Sequence, residues 1–416
     1  MADLADLVER SGELKRELID FSHQRRFERA ARKAVAERLG RHPILDEEQA
    51  INFQDWFALQ APLPDGRTVV EHFVDARPDL PAEERAMLLA WRDVVEGLFE
   101  VKRRSGGTIL LHNLVDDLAY RAHANVGPAI FRQTPRGTFL AARLVPIGDE
   151  WLLSGASTVL PAANRAEMYQ MAVELSSRFP AMVFRNPEKL AQAWELQREE
   201  RRMFIDFFGS DLVVLPGREI AARLRAYDRY RTYEARGADG KTVAERSRAA
   251  RGIEPPALDY PLPDDFIAAE TIGIIYDEEE GFNFYLNLGT VAETFANPAL
   301  AADRKHRQAV LAYLNDESIS PLPFRRLASE DHERASQVFQ LALKQPRFSW
   351  ERDGEALLRK HKAEFFAQPV LPSVLPMSGP LAQAARADSE PDRPRPNYRP
   401  ASRRKKGSWK SRGGSR

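Results

Sequence analysis

Cysteine is absent from this chain of 416 residues, which excludes disulfides, thiolate zinc knuckles, iron–sulfur clusters and cysteine nucleophiles together. Histidine is scarce. His23, His42, His72, His112, His123, His306, His332 and His361 form no His-x-x-x-His pair and no His-Glu-x-x-His, so no helix presents two imidazoles on one face at ligand spacing. No run reaches the roughly 18 apolar residues that crossing a bilayer requires, and Met1, Ala2 and Asp3 do not begin the basic-then-apolar layout of a signal peptide. These features predict a cytoplasmic protein without a membrane partner. Gly-x-x-x-x-Gly-Lys-Ser/Thr, a strand followed by Gly-x-Gly-x-x-Gly, and Gly-x-Ser-x-Gly are also missing. No cofactor, metal or catalytic residue is expected on these grounds.

What is present is ordinary for a globular chain of two or three domains: 43% apolar and 29% charged residues. The formal charge of zero hides a polarity. Residues 391–416 hold ten Lys and Arg against Asp392 alone, a balance of +9. Because 61 basic and 61 acidic residues cancel over the whole chain, the remainder carries −9. An acidic body with a basic tail suits contact with a polyanion, and equally a tail that folds back on its own body.

The pattern predicts an α+β fold. Residues 1–96 read as a helical N-terminal region, with Leu4, Leu7, Leu14, Leu18 and Phe21 at helical steps and Phe27, Ala31, Ala34 and Leu39 continuing the stripe. Asp46 with Gln49 forms a capping-box signature, and Thr68 can start a further helix. Residues 97–160 break into five short β-rich runs, at about 97–104, 108–113, 118–125, 137–146 and 150–158. They predict a small five-stranded β-barrel-like domain of SH3-like or OB-like kind, in which several of Leu98, Val101, Leu110, Leu144 and Leu152 are buried and Trp151 is partly enclosed. A helical region with one short strand follows at 161–236. Residues 237–265, rich in Gly, Pro and charge, read as a long loop or linker. A β-hairpin and helices occupy 266–366, with helices at about 297–315, 328–344 and 351–366. Residues 367–416 are a Pro-rich and then basic tail, disordered from about 385 onward because it cannot build a core.

Few residues invite chemistry. Pro216-Gly217 before a helix reads as a strand-to-helix turn more than an anion site. His112 and His123 lie on adjacent strands and are the nearest approach to a metal pair. Asp277, Glu278, Glu279 and Glu280 read as a solvated hairpin tip. Basic clusters occur at Arg25, Arg26, Arg29, Arg32 and Lys33, read as a solvated face paired with Glu28 and Glu37, and in the barrel at Lys102, Arg103, Arg104, Arg121 and Arg143. In the tail, Arg403, Arg404, Lys405, Lys406, Lys410 and Arg412 can neutralise phosphates while Trp409, like Tyr398, stacks on a base.

Asp55-Trp56-Phe57, Leu63-Pro64-Asp65-Gly66-Arg67-Thr68, Gly97-Leu98-Phe99-Glu100-Val101 and Gly148-Asp149-Glu150-Trp151-Leu152-Leu153-Ser154-Gly155 resemble the body of a group of bacterial proteins that often carry a small SEC-C zinc knuckle. The resemblance covers about 50–160 and extends less closely to 205–345. It implies no catalytic residue, and a chain without cysteine has no such knuckle. The sequence thus points to a non-enzymatic cytoplasmic binding or adaptor protein, with RNA or DNA and other proteins as the partner classes and the tail as the contact. Two alternatives stand beside it: an enzyme whose site is assembled between lobes, and a protein-interaction scaffold whose tail binds its own acidic surface.

Overall fold

The computed structural model describes residues 4–40, 46–124, 127, 131–132, 134–251, 262–377 and 379–389, and the fold is α+β. The N-terminal stripe becomes the helix Leu4–Ser22, with Leu14 and Leu18 fully buried. Asp46 and Gln49 exchange both bonds of a capping box at the start of Glu47–Leu59. Before Val69–Ala76 the Thr68 backbone N–H and hydroxyl both donate to the Glu71 carboxylate, at 2.8 and 2.9 Å.

Five strands follow: β1 (Val95–Ser105), β2 (Thr108–Asn113), β3 (Ala119–His123), β4 (Phe139–Ile147) and β5 (Glu150–Leu160). Their sheet is mixed. Antiparallel ladders join β1 to β2, β2 to β3, β1 to β4 and β4 to β5, while β3 meets β5 in parallel at Ala122 opposite Trp151 and His123 opposite Leu152. The neighbour relations therefore run in a ring, β1-β2-β3-β5-β4, whose shortest ladder is the parallel one. Leu98, Val101, Leu144 and Leu152 are buried, Leu110 and Trp151 half-buried. Phe99, Tyr120 and Trp151 stack edge to face inside. Val145, Ile147 and Leu152 face the other way and complete the core of the N-terminal helices with Phe57, Phe73, Leu88 and Trp91.

The second sheet orders β6 (Leu212–Pro216), β7 (Thr271–Asp277) and β8 (Gly281–Leu286) antiparallel. One face packs on the helices Pro187–Phe208 and Gly217–Tyr233, the other on the helices from Leu288 to His361. A helix at Leu288–Ala296, absent from the sequence reading, starts from Asn287 in the left-handed region at φ 57°. Among the described residues no helix is long and apolar enough to cross a membrane.

Two expectations are corrected. Residues 237–265 are not loop throughout, because Val243–Arg251 is helical. Thr242 and Glu245 cap it reciprocally, the Thr242 N–H donating to Glu245 Oε2 at 2.8 Å and the Glu245 N–H to Thr242 Oγ1 at 3.1 Å. Arg246 ties it to Glu199. The tail is not without regular structure up to its basic part either: Gly379–Ser389 is helical, with Pro380 at its second residue, where a missing N–H costs nothing. Leu381 is buried in a core shared with Met168 and Ala172 of the helix Arg165–Arg178, with Ala384 and Ala385 packed against it, so order extends past residue 385.

Candidate functional site

The tail residues Arg403, Arg404, Lys405, Lys406, Trp409, Lys410 and Arg412, with Tyr398, lie outside the described residues. The other basic residues separate into distinct environments. Arg32 pairs with Glu28 and Lys33 with Glu37 on an open helix face, as read from the sequence. Arg26 lies over the rings of Phe21 and Phe27. On the sheet, the register sets Arg103 of β1 opposite Leu110 of β2, and Leu110 opposite Arg121 of β3. Both arginines are exposed, as are the flanking Lys102 and Arg104. Arg121 pairs with Glu150 at 3.2 Å, Lys102 with Glu100 at 2.8 Å, and Arg104 donates to the Phe131 carbonyl. The bulge between Val101 and Arg103 turns this corner of β1 outward.

Arg143 does not join that face and is corrected here: it is 3% exposed. A register shift between Ala141 and Arg143, beside Gly155 at φ 69°, brings Arg143 and its cross-strand neighbour Ser154 onto one carboxylate. Arg143 Nε donates to Asp55 Oδ2 at 2.9 Å, the Ser154 hydroxyl to Asp55 Oδ1 at 2.7 Å, and Lys15 pairs with Asp55 and donates to Ser154 Oγ at 3.0 Å. A side chain at Gly155 would be strained at its positive φ, and its Cβ, 2.4 Å from Asn52 Oδ1, would displace that amide. Burial pushes the Asp55 carboxyl up, but Lys15 and Arg143 together outweigh it and hold it below the usual carboxylate range. A serine, a lysine and an aspartate in contact resemble catalytic parts. With Asp55 2% and Ser154 5% exposed, they join helices to sheet and do not face a substrate. The sequence singled out Asp55, Arg143 and Ser154 separately and had no signal that they meet.

His112 and His123 are not brought together. His112 stands opposite Ala119 and His123 opposite Thr108, at the two ends of one ladder. They bond to Asp117 and Glu150 respectively, and among the described residues no group of three possible metal ligands occurs. Gly217 serves packing, since a Cβ there would lie 2.3 Å from the Ala269 carbonyl oxygen.

A cleft of about 1260 Å³ opens between the β7–β8 hairpin, the helix Arg304–Asn315 and the segment 365–373. Its floor is aromatic, from Phe284, Tyr285, Tyr313 and Phe366, and Glu279, Glu280, Asp316 and Glu317 stand around it. The hairpin tip is only partly solvated: Asp277 Oδ1 accepts the N–H groups of Glu279 and Glu280, which turns Glu280 inward. Burial pushes the Glu280 carboxyl up to about 6, against a hydrogen bond from Ser320 that lowers it. Ser320 also meets the Tyr285 hydroxyl at 3.1 Å. Buried Lys362 donates to the Tyr313 carbonyl at 2.6 Å and to that of Asp316, fixing the helix end that forms one wall. The described lining has no histidine, and Lys305, its lysine, is paired with Glu270. Such a groove can hold an extended ligand with apolar and cationic groups.

No curated protein and no solved structure matches the chain. Residues 6–208, the span from the first helix through both faces of the five-stranded ring to the helix before β6, are similar to a family of unknown function, DUF7986.

Proposed function

We propose that the chain is a non-enzymatic cytoplasmic binding or adaptor protein that contacts RNA or DNA, and that its ring of β1–β5 is a barrel of OB-like kind. The observation that carries this reading is the row Arg103, Leu110, Arg121 across β1, β2 and β3. In OB-folds the face of strands 2 and 3 takes single-stranded nucleic acid, and here that face carries Leu110 and the exposed Arg121, with the exposed Arg103 beside them on β1. The +9 tail adds a second set of phosphate contacts. The resemblance to bacterial proteins that bear SEC-C knuckles belongs to the same proposal and supplies no ligand of its own.

Anisotropy of a labelled single-stranded oligonucleotide, titrated at several salt concentrations, tests it. Each phosphate contact contributes about −0.7 to the log–log salt slope. Replacing Arg403, Arg404, Lys405 and Lys406 with Glu should flatten that slope by about 3, and Arg103→Glu with Arg121→Glu should weaken binding further. Trp409→Ala should cost roughly 1–3 kcal/mol at nearly constant slope. Binding at low salt that is indifferent to all of these changes would remove the reading.

A further inference from the structure

The cleft beside the β7–β8 hairpin runs along an open sheet edge. Among the described residues the order β6-β7-β8 ends at β8, with no strand beyond it. Asn283, Phe284, Tyr285, Leu286 and Asn287 all line the cleft, so both faces of the strand and the edge between them border the same space. We infer that this edge receives an extended basic segment of a partner protein, which adds to the sheet as a further strand and sets its arginines or lysines on the acidic rim.

The backbone supplies the docking groups. The Asn287 N–H donates to the Thr271 carbonyl of β7 at 2.7 Å. Inward and outward groups alternate along an antiparallel ladder, so Tyr285 and Asn283 also face β7, while Phe284 and Leu286 turn their N–H and C=O groups away from it. The Tyr313 hydroxyl, on the helix Arg304–Asn315, marks that outward direction by donating to the Leu286 carbonyl. The Leu286 N–H and both groups of Phe284 are left without a strand partner. Sheet edges are ordinarily blunted by proline, lysine or a bulge. β8, with the sequence Gly-Phe-Asn-Phe-Tyr-Leu, has no proline and no charge, and its ladder with β7 runs without a register shift from Gly281 to Leu286.

Charge and size select the occupant. The described lining sets Glu270, Glu279, Glu280, Asp316 and Glu317 against Lys305 and Arg325. Both cations are already paired, Lys305 with Glu270 at 3.2 Å and Arg325 with Glu355 at 2.8 Å. Among the described residues no ion pair engages Glu279, Glu280 or Glu317, and guanidinium or ammonium on a carboxylate is the stronger class of hydrogen bond. At about 1260 Å³ the cleft exceeds the roughly 300–1,000 Å³ of small-molecule sites. Phe284, Tyr285 and Tyr313 give apolar side chains a floor between the charges. In strand addition the main chain supplies affinity and pockets for alternate side chains supply specificity. A segment that alternates basic and apolar residues meets both demands here.

The probe is a fluorescein-labelled peptide of alternating arginine and valine, about as long as β8, titrated into the full chain without nucleic acid. Binding should saturate and weaken as salt is raised. Glu279→Lys with Glu317→Lys, both at exposed side chains, should weaken it by about tenfold, with unchanged thermal melting as the check on folding. Two further peptides, N-methylated at every arginine or at every valine, each lose the donors of one strand edge. One should bind about tenfold more weakly and the other like the parent peptide, since only one edge meets β8. Amide exchange at Phe284 and Leu286 should slow on binding, and exchange at Asn283 and Tyr285, already within the ladder, should not. No binding to the parent chain, equal binding by the two methylated peptides, or protection elsewhere in place of β8 would overturn the inference. So would slow exchange at Phe284 and Leu286 before any peptide is added, since the edge would then be covered by this chain's own tail or by a second copy. The inference does not rest on nucleic-acid binding, and a measurement free of nucleic acid separates its failure from the failure of that reading.

Discussion

Gln197 and Ser373 are joined through one amide: the Ser373 N–H and hydroxyl both donate to Gln197 Oε1, at 2.7 and 2.9 Å. From its other end, Gln197 Nε2 donates to the carbonyls of Glu278 and Glu279 in the β7–β8 turn. This fully buried side chain therefore clamps two walls of the cleft to the helix Pro187–Phe208. Gln197→Ala leaves those groups unpaired, at a cost of about 1–3 kcal/mol. Hydrogen exchange should accelerate at Ser373 and around the turn together. Acceleration at only one of them would contradict the clamp.

Removing one partner of the buried Asp55 cluster leaves uncompensated charge. Arg143→Met should cost about 3–5 kcal/mol of unfolding free energy, read from urea melts. A loss below about 1 kcal/mol would mean that the cluster behaves as a surface pair.

The same carboxylate sets an acid limb. Asp55 is held below its usual range in the folded protein, so its contribution is complete above the unfolded value near 3.8 and is lost as pH falls through the lower folded value. Asp55→Asn should lower stability at pH 7 and flatten its fall below pH 4. An acid limb unchanged in the variant would place that titration elsewhere.

Glu280 has the opposite sign. Its folded value of about 6 lies above the ordinary 4.5, so the folded state holds the proton more tightly and stability declines as pH rises between those values. Glu280→Gln should raise the melting temperature at pH 7 and leave it unchanged at pH 4. A lower melting temperature at pH 7 would show that the ionised carboxylate stabilises the fold.

Truncation should divide sharply at the last helix. A chain ending at Ser389 keeps the buried Leu381 and should melt like the full protein. Ending before Gly379 uncovers the surface around Met168 and Ala172 and should cost at least about 1.5–3 kcal/mol, the burial of one leucine. Equal melting of both truncations would mean that this helix is not docked.

Local signals were legible and long-range ones were not. Asp46 with Gln49, Thr68 with Glu71 and the five β-rich runs each state their structure within a few residues, and the strands lie where the alternation put them. Thr242 with Glu245 carried the same signature, but the glycines and prolines around it masked the helix. Gly379–Ser389 is held by tertiary burial of Leu381, which no local pattern announces. The parallel meeting of β3 with β5 and the convergence of Lys15, Asp55, Arg143 and Ser154 join positions up to 139 residues apart, and only the folded ring brings them together. The cleft was half legible: its acidic tip stood out, but the turn of Glu280 toward Tyr285 and Ser320 depends on packing.

The shared core of the N-terminal helices and the sheet also bears on synthesis. Trp91 belongs to a core that Val145, Ile147 and Leu152 complete, so about 60 further residues must leave the ribosome before that core can close. At 5–20 residues per second this takes roughly 3–12 s. During that interval the nascent helices present Phe57, Phe73, Leu88 and Trp91 without the strands that cover them.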